Sequence, residues 1–159
     1  MSAVKEEISK AQKYMTHGVY VISTAHKGKL NALTAAWAAR ASFVPPLITV
    51  SVGTTRFSHD MIKESGIFAV SILGPEDMEL GKQFGLKTGR RTDKFEGVEY
   101  EIKTTGAPVL MGCIAWLDCR VASYHEAGDH TIFIGEVVDA GTRREGAKPL
   151  AYERENFFK

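Results

Sequence analysis

The run from Asn31 to Gly53, NALTAAWAARASFVPPLITVSVG, sets one threonine, Thr34, and one indole, Trp37, among the alanines of its first half. Very small side chains leave main-chain donors and acceptors uncovered. A flat ligand lying over TAAWA would therefore meet backbone amides and carbonyls, the Thr34 hydroxyl and the Trp37 ring. The same alanines would also permit tight packing against a helix, and spacing alone does not decide between the two. A second concentration of chemistry is LKTGRRTDKFEG, where Lys87, Arg90, Arg91 and Lys94 fall within eight positions. Such a run reads as a local anion site or as a solvated turn.

The other reactive residue types are less promising. His125 and His130 could face each other across a hairpin, but two ligands without a third make a poor zinc site. His17, His26 and His59 fall among turns and at a helix start, where a surface position is expected. Cys113 and Cys119 share the apolar run GCIAWLDCRV, which reads as one strand. In an extended chain they stand about 20 Å apart, too far to bridge, and read as small buried hydrophobes. No G-x-G-x-x-G lies between a strand and a helix, so a doubly wound nucleotide site is absent.

The elements that must position these groups follow from periodicity. Val4, Ile8, Ala11 and Met15 predict an amphipathic helix over Ala3 to Met15 with an apolar face to pack. VYVISTA, HKGK and LNALTAAW predict a hairpin, the alanine run continuing as strand. Pro45 and Pro46 mark the start of a strand over Leu47 to Gly53. TTRFSHDMIKESG offers Thr and Ser as N-caps of a helix that Gly66 stops. Ile67 to Leu73 predicts a strand, PEDMELGKQF a short helix closed by Gly85, and LKTGRRTDKFEG a surface loop. VEYEIKTT, GCIAWLDCRVASYH and HTIFIGEVVDA predict strands, the last two joined by EAGD. The result is a mainly β chain with short peripheral α-helices, and closure into an antiparallel barrel would remove its exposed edges.

The chain has 159 residues, 44% of them hydrophobic and 25% charged, which suits one folded domain, 1–159. Its formal net charge of +1 provides no global field for nucleic acid or an anionic membrane. The acidic, discontinuous start MSAVKEEISKAQKY is unlike a targeting signal, and no apolar run approaches the ~20 residues a membrane helix needs. The expected location is cytoplasmic.

Taken in order, NALTAAWAARASFVPPLITVSVG, TTRFSHDMIKESGIFAVSIL, KQFG, GRRTDKFEG and GDHTIFIGEV resemble the flavin reductase family, from about Tyr14 to about Tyr152. Each motif is weak alone, and the five in sequence are specific. The most similar members are the short flavoredoxin-like ones. The resemblance implies a Greek-key split β-barrel that binds FMN, with FAD possible, and uses NAD(P)H as co-substrate. It assigns Asn31, Leu33, Thr34, Ala35, Ala36 and Trp37 to the segment cradling the isoalloxazine ring, which explains the small side chains. Ser51, Val52 and Gly53 would pass beneath the ribityl chain, and Arg56, Phe57 and Ser58 would sit at its phosphate. Phe84 and Gly85 would edge the ring. Thr88, Arg90, Arg91 and Lys94 would lie near the cofactor or the incoming nucleotide, and His130 near the reactive face, aligning nicotinamide or substrate. Trp37 stands where many members carry Ser or another small residue.

The resemblance further implies a homodimer, with Phe157 and Phe158 packing on the partner chain. Electrons would leave to a second flavin, a metal ion, a redox protein or a monooxygenase partner. Two other readings compete: an electron carrier with permanently bound FMN and a protein redox partner, and a nucleic-acid-binding barrel. Near-neutral charge and the lack of aromatic residues interleaved with basic ones disfavour the last.

Overall fold

A computed structural model describes residues 2–90 and 92–157. Helix α1 spans Ala3–Gln12, capped by the Ser2 hydroxyl, which accepts from Lys5 N at 3.2 Å. It ends short of Met15 and buries none of its residues: Val4 is 69% exposed and Ile8 50%. The expected apolar face is present but does not pack on its own chain.

Strands β1 (Tyr20–His26) and β2 (Lys29–Ala35) form the predicted hairpin. Its turn, Lys27 and Gly28, has φ values of 50° and 77°, the two left-handed positions that match strand twist in a tight hairpin. The alanine run is not one strand. It stops at Ala35, leaves Ala36 and Trp37 outside any strand, and resumes as β3, Ala38–Ser42. Then come β4 (Leu47–Gly53), α2 (Phe57–Ser65) and β5 (Ile67–Ile72). A 3-10 turn over Pro75–Asp77 leads into α3, Met78–Leu86.

The predicted VEYEIKTT strand is reduced to β6, Tyr100–Ile102, paired with the unforeseen β7, Pro108–Leu110. The long hairpin of β8 (Ala115–Ala127) and β9 (His130–Thr142) turns at Gly128 and Asp129. Helix α4 is one turn, Arg154–Phe157.

Seven strands form one antiparallel sheet in the order β2-β1-β5-β8-β9-β4-β3. Its two edge strands, β2 and β3, are separated in the chain by only Ala36 and Trp37. A sheet whose opposite edges are two residues apart must curl on itself, and these edges approach without pairing. The expected mainly β split barrel is what the chain forms, and Ala36–Trp37 spans its split.

One core cluster includes Ile22, Val50, Val52, Phe68 and Phe133, all fully buried. Each such side chain contributes roughly 1.5–3 kcal/mol relative to exposure. A second, including Val19, Leu73, Phe84, Phe95 and Leu110, lies under α3 and the small sheet. Phe157 belongs to this second cluster, 4% exposed and packed against its own Tyr152 at 5.6 Å between ring centroids. It is therefore not available to a partner chain, and Phe158 lies outside the described residues. Cys113 and Cys119 are both buried and free, and burial pushes the Cys119 thiol up to about 12.

Candidate functional site

Two connected cavities open at the split. The first, ≈ 550 Å³, is lined by Leu33, Thr34, Ala35, Ala36 and Trp37 from the β2–β3 passage, Ser51 and Gly53 from the end of β4, and Gly85, Asp129 and His130. The second, ≈ 300 Å³, continues past Leu33, Arg56 and Gly85 to Asn31, Phe57, Ser58, Lys87, Thr88, Arg90 and Lys94. The first has a floor of small side chains. The second is bordered by four cations and, among the described residues, no carboxylate.

Sheet geometry explains which β4 residues reach the first cavity. Side chains alternate along a strand, so Ser51 and Gly53 face it while Val52, fully buried, points into the core. Val52 is thus not a lining residue, contrary to expectation. Phe84 is not one either: it is fully buried and packs on Phe95 at 5.0 Å, leaving Gly85 to line the cavity. Gly85 does not stop α3, which continues to Leu86. Its role is close approach, since a Cβ there would lie 3.3 Å from Thr34 Cβ. The Thr34 hydroxyl is itself engaged, donating to Gly81 O at 2.5 Å.

Helix α2 begins at the second cavity. Neither Thr nor Ser caps it: the N-cap is Arg56, with no side-chain hydrogen bond to the first turn. Ser58 instead faces inward, accepting from Asn31 Nδ2 at 2.7 Å, which leaves its own hydroxyl proton free to donate. Asn31 Oδ1 is buried without a partner. Arg56 is half-buried, its pKa lowered by that burial, and its side chain makes no ion pair or hydrogen bond among the described residues. A burdened cation, an uncapped helix start and a free hydroxyl together ask for an anion.

The basic loop is less solvated than its composition suggests. Arg90 Nη1 donates to Thr55 O at 3.3 Å and lies 4.9 Å from the Phe57 ring centroid. Lys94 is 4% exposed, its Nζ donating to Ala32 O at 2.8 Å and Phe84 O at 3.0 Å. It pins the loop to β2 and α3, so a pure surface-loop reading is corrected. Arg91 lies outside the described residues.

Burial first, and then the nearby Arg56 charge, lower the Lys94 pKa from 10.5 to about 8. The unfolded chain keeps this proton to higher pH than the folded chain, so the group's contribution to stability rises between about pH 8 and 10.5. Urea midpoints of the flavin-free protein across that interval should show the rise in wild type and lose it in Lys94→Met. Parallel profiles for the two proteins would contradict the assignment.

His130 stands at the mouth of the first cavity. Its Nδ1 pairs with Asp129 Oδ1 at 2.6 Å, and its ring is tilted 40° against Trp37 at 4.7 Å. That hydrogen bond holds the Asp129 carboxyl below its usual range. The Nε2 edge is turned toward Gly53. His125 does not oppose it, being paired with Ile132 while His130 pairs with Ala127. His59, expected on the surface, is buried between Asp60 Oδ1 at 2.8 Å and Thr131 Oγ1 at 2.7 Å. It ties α2 to β9, and Thr54 N donates to Asp129 O at 3.0 Å, so Arg56 and His130 belong to one rigid rim. Among the described residues no three His, Cys, Asp or Glu side chains converge as a metal site.

Sequence reasoning did not single out Thr54, Thr55, Leu86, Lys87 or Tyr152, all of which line the cavities. Lys87 was visible within the basic run. Tyr152 arrives from the far end of the chain through Tyr152 N donating to His17 O, a contact no local pattern signals.

A family model described as "Flavin reductase like domain" matches residues 12–159. The chain belongs to this family. It is 34% identical over 146 residues to the high molecular weight rubredoxin of Moorella thermoacetica, covering 91% of this chain and 63% of that protein. It spans, then, less than two thirds of that relative. It is also 32% identical over 140 residues to a ferric-chelate reductase (NAD(P)H) of Archaeoglobus fulgidus, covering 87% of this chain and 82% of the relative. Among solved structures, flavin reductase PheA2 aligns at TM-score 0.80 with 30% identity, covering 96% of this chain and 94% of that one. The NADH:FAD oxidoreductase SgcE6 of Streptomyces globisporus C-1027 aligns at TM-score 0.86 with 25% identity, covering 96% and 91%. This is a flavin-dependent oxidoreductase domain of the flavin reductase type. No helix among the described residues is long and apolar enough to cross a membrane.

Proposed function

We propose that residues 1–159 act as one flavin-binding domain that passes hydride or electrons between NAD(P)H and a downstream acceptor. The observation that carries the reading is the cavity bordered by four cations and, among the described residues, no carboxylate, joined to a cavity of ≈ 550 Å³ lined in part by small residues. The residues present fit the FMN portion of a flavin. Ala35, Ala36, Gly53 and Gly85 leave the ring its space. Arg56, the Ser58 hydroxyl and the α2 amides are disposed to take the phosphate, and Asn31 Oδ1 is an acceptor still lacking a donor.

When bound, the flavin supplies reversible hydride and single-electron chemistry. The protein's part is to hold, orient and expose. The Thr34–Trp37 passage lines the ring space, while the Thr34 hydroxyl fixes β2 against α3. Asp129 holds His130 by Nδ1, which presents Nε2 at the cavity mouth to align a nicotinamide or other substrate. No acid or base is required of a side chain. Trp37, 53% exposed beside His130, screens one side of the mouth and limits what can enter.

A homodimer is part of the proposal. Its support is exposed apolar surface: Val4 and Ile8 of α1, and a cavity beside Trp37 whose lining includes Met15, Ala38, Ala39 and Ile132. Light scattering at micromolar concentration should give twice the chain mass, and a monomer mass would end this part of the reading. A redox protein or a monooxygenase is the proposed acceptor class, in keeping with relatives named as reductase subunits of flavin-dependent monooxygenases. The proposed location is the cytoplasm.

The activity is tested by adding NADH, then NADPH, anaerobically to the FMN-loaded protein. Bleaching of the flavin absorbance within seconds by at least one nucleotide is the expected result. Flavin that stays oxidised with both would instead favour a carrier reduced by another protein.

A further inference from the structure

Lys94 borders the phosphate cavity, yet only 4% of it is exposed. An ammonium carries three donors, and two of these reach neutral carbonyls, Ala32 O on β2 and Phe84 O on α3. No ion pair joins it to a carboxylate among the described residues. Asp93, its neighbour in the chain, is exposed, and its Oδ1 accepts from Phe95 N at 2.9 Å. The other charged residues lining the cavity share the sign of Lys94: Arg56 at the start of α2, Lys87 just past α3, and Arg90 in the same loop. On β2, Lys29 adds a further cation, its Nζ donating to Gly89 O at 3.3 Å. The nearest opposite charges on the packed helices are engaged elsewhere. Glu79 of α3 pairs with Lys82 at 3.6 Å, and Asp60 of α2 with His59, whose other ring nitrogen meets Thr131 Oγ1.

A buried ammonium without a counterion, set among like charges, holds its proton less firmly than one in water. The lowering of its pKa to about 8 agrees with that geometry. A phosphate dianion in the cavity is the counterion this arrangement lacks, and an opposite charge nearby restores the charged form. We infer that Lys94 couples flavin binding to proton uptake: the seated phosphate draws a proton from solvent onto Nζ, and in alkaline solution FMN enters together with that proton. The inference rests on the proposed phosphate seat. Its sign follows from linkage. Below about pH 8 the empty site already holds the proton, so affinity is level; above it the proton must be taken up, and affinity falls by up to about tenfold per pH unit.

The test is calorimetric titration of the flavin-free protein with FMN at about pH 8.5 in two buffers of different ionisation enthalpy, the difference giving the protons bound per flavin. A phosphate monoester is already a dianion there, its second pKa being about 6, so the ligand's phosphate contributes no proton change. Wild type should take up about half a proton or more per FMN at pH 8.5 and little at about pH 7. Riboflavin, which lacks the phosphate, should bind without uptake. Lys94→Met should bind FMN without uptake, and so should Lys94→Arg, which keeps a cation that does not titrate in this range. In both variants the affinity should no longer fall between about pH 8 and 9. FMN binding to wild type with no proton taken up overturns the inference and leaves the phosphate seat standing. Equal uptake with riboflavin, or uptake that persists in Lys94→Arg, overturns it too, because the titrating group then lies elsewhere. Failure of wild type to bind FMN, or to prefer it over riboflavin, would instead remove the phosphate seat itself, and this inference with it.

Discussion

Replacing Arg56 by Met should weaken FMN binding roughly 10- to 150-fold, the cost of about 1.5–3 kcal/mol for charge-assisted hydrogen bonds to a phosphate. The flavin-free protein should nonetheless melt at the same temperature as wild type or higher. The two halves of this result have one cause. Arg56 is half-buried, burial lowers its pKa, and no carboxylate among the described residues pairs with it. A cation in that position weakens the empty fold and is useful only when an anion arrives. Loss of affinity accompanied by a large fall in melting temperature would mean that Arg56 is structural, and the phosphate assignment would have to move.

The second large effect belongs to the ring. Ala36 lies between β2 and β3, belongs to neither, and lines the first cavity. Ala36→Phe projects a phenyl ring into the space that the small side chains leave open. Displacing it or the flavin costs roughly 1–3 kcal/mol, so FMN affinity should fall about 5- to 150-fold. Because the residue is only partly buried and outside the sheet ladder, the melting temperature should change little. The variant also separates the cavities. Stabilisation of the flavin-free protein by inorganic phosphate, read as a thermal shift, should survive in Ala36→Phe and disappear in Arg56→Met. If phosphate stabilisation were lost in both, the two cavities would not act as ring and phosphate sites.

Much of this arrangement was legible because local chemistry and global fold agree. The Lys27–Gly28 turn, the strand after Pro46 and the β8–β9 hairpin each carry a residue whose backbone preference admits few alternatives. Ordered motifs then placed Thr34, Gly53, Arg56, Ser58, Gly85 and His130 around one opening, where the fold indeed brings them together. What was illegible depends on partners distant in sequence. Lys94 reads as one more loop cation, and only the carbonyls of Ala32 and Phe84 make it a buried anchor. Phe157 reads as exposed at the end of the chain until Tyr152 and α3 come against it. His59 reads as a helix-start histidine and is claimed by Thr131, which lies 72 positions away. Val52 and Phe84 carry motif positions, yet strand alternation and helix packing turn their side chains to the core, leaving Gly53 and Gly85 to line the cavity.

In the proposed site a ring cavity and a phosphate cavity are joined at Arg56. The most direct measurement is the affinity of the purified, flavin-free protein for FMN against that for riboflavin, which has the same ring and side chain without the phosphate. FMN should bind at least about 10- to 150-fold more tightly, with a preference that shrinks as salt is raised. Equal affinities, unchanged by salt, would show that the cationic cavity does not receive the phosphate and would contradict the assignment.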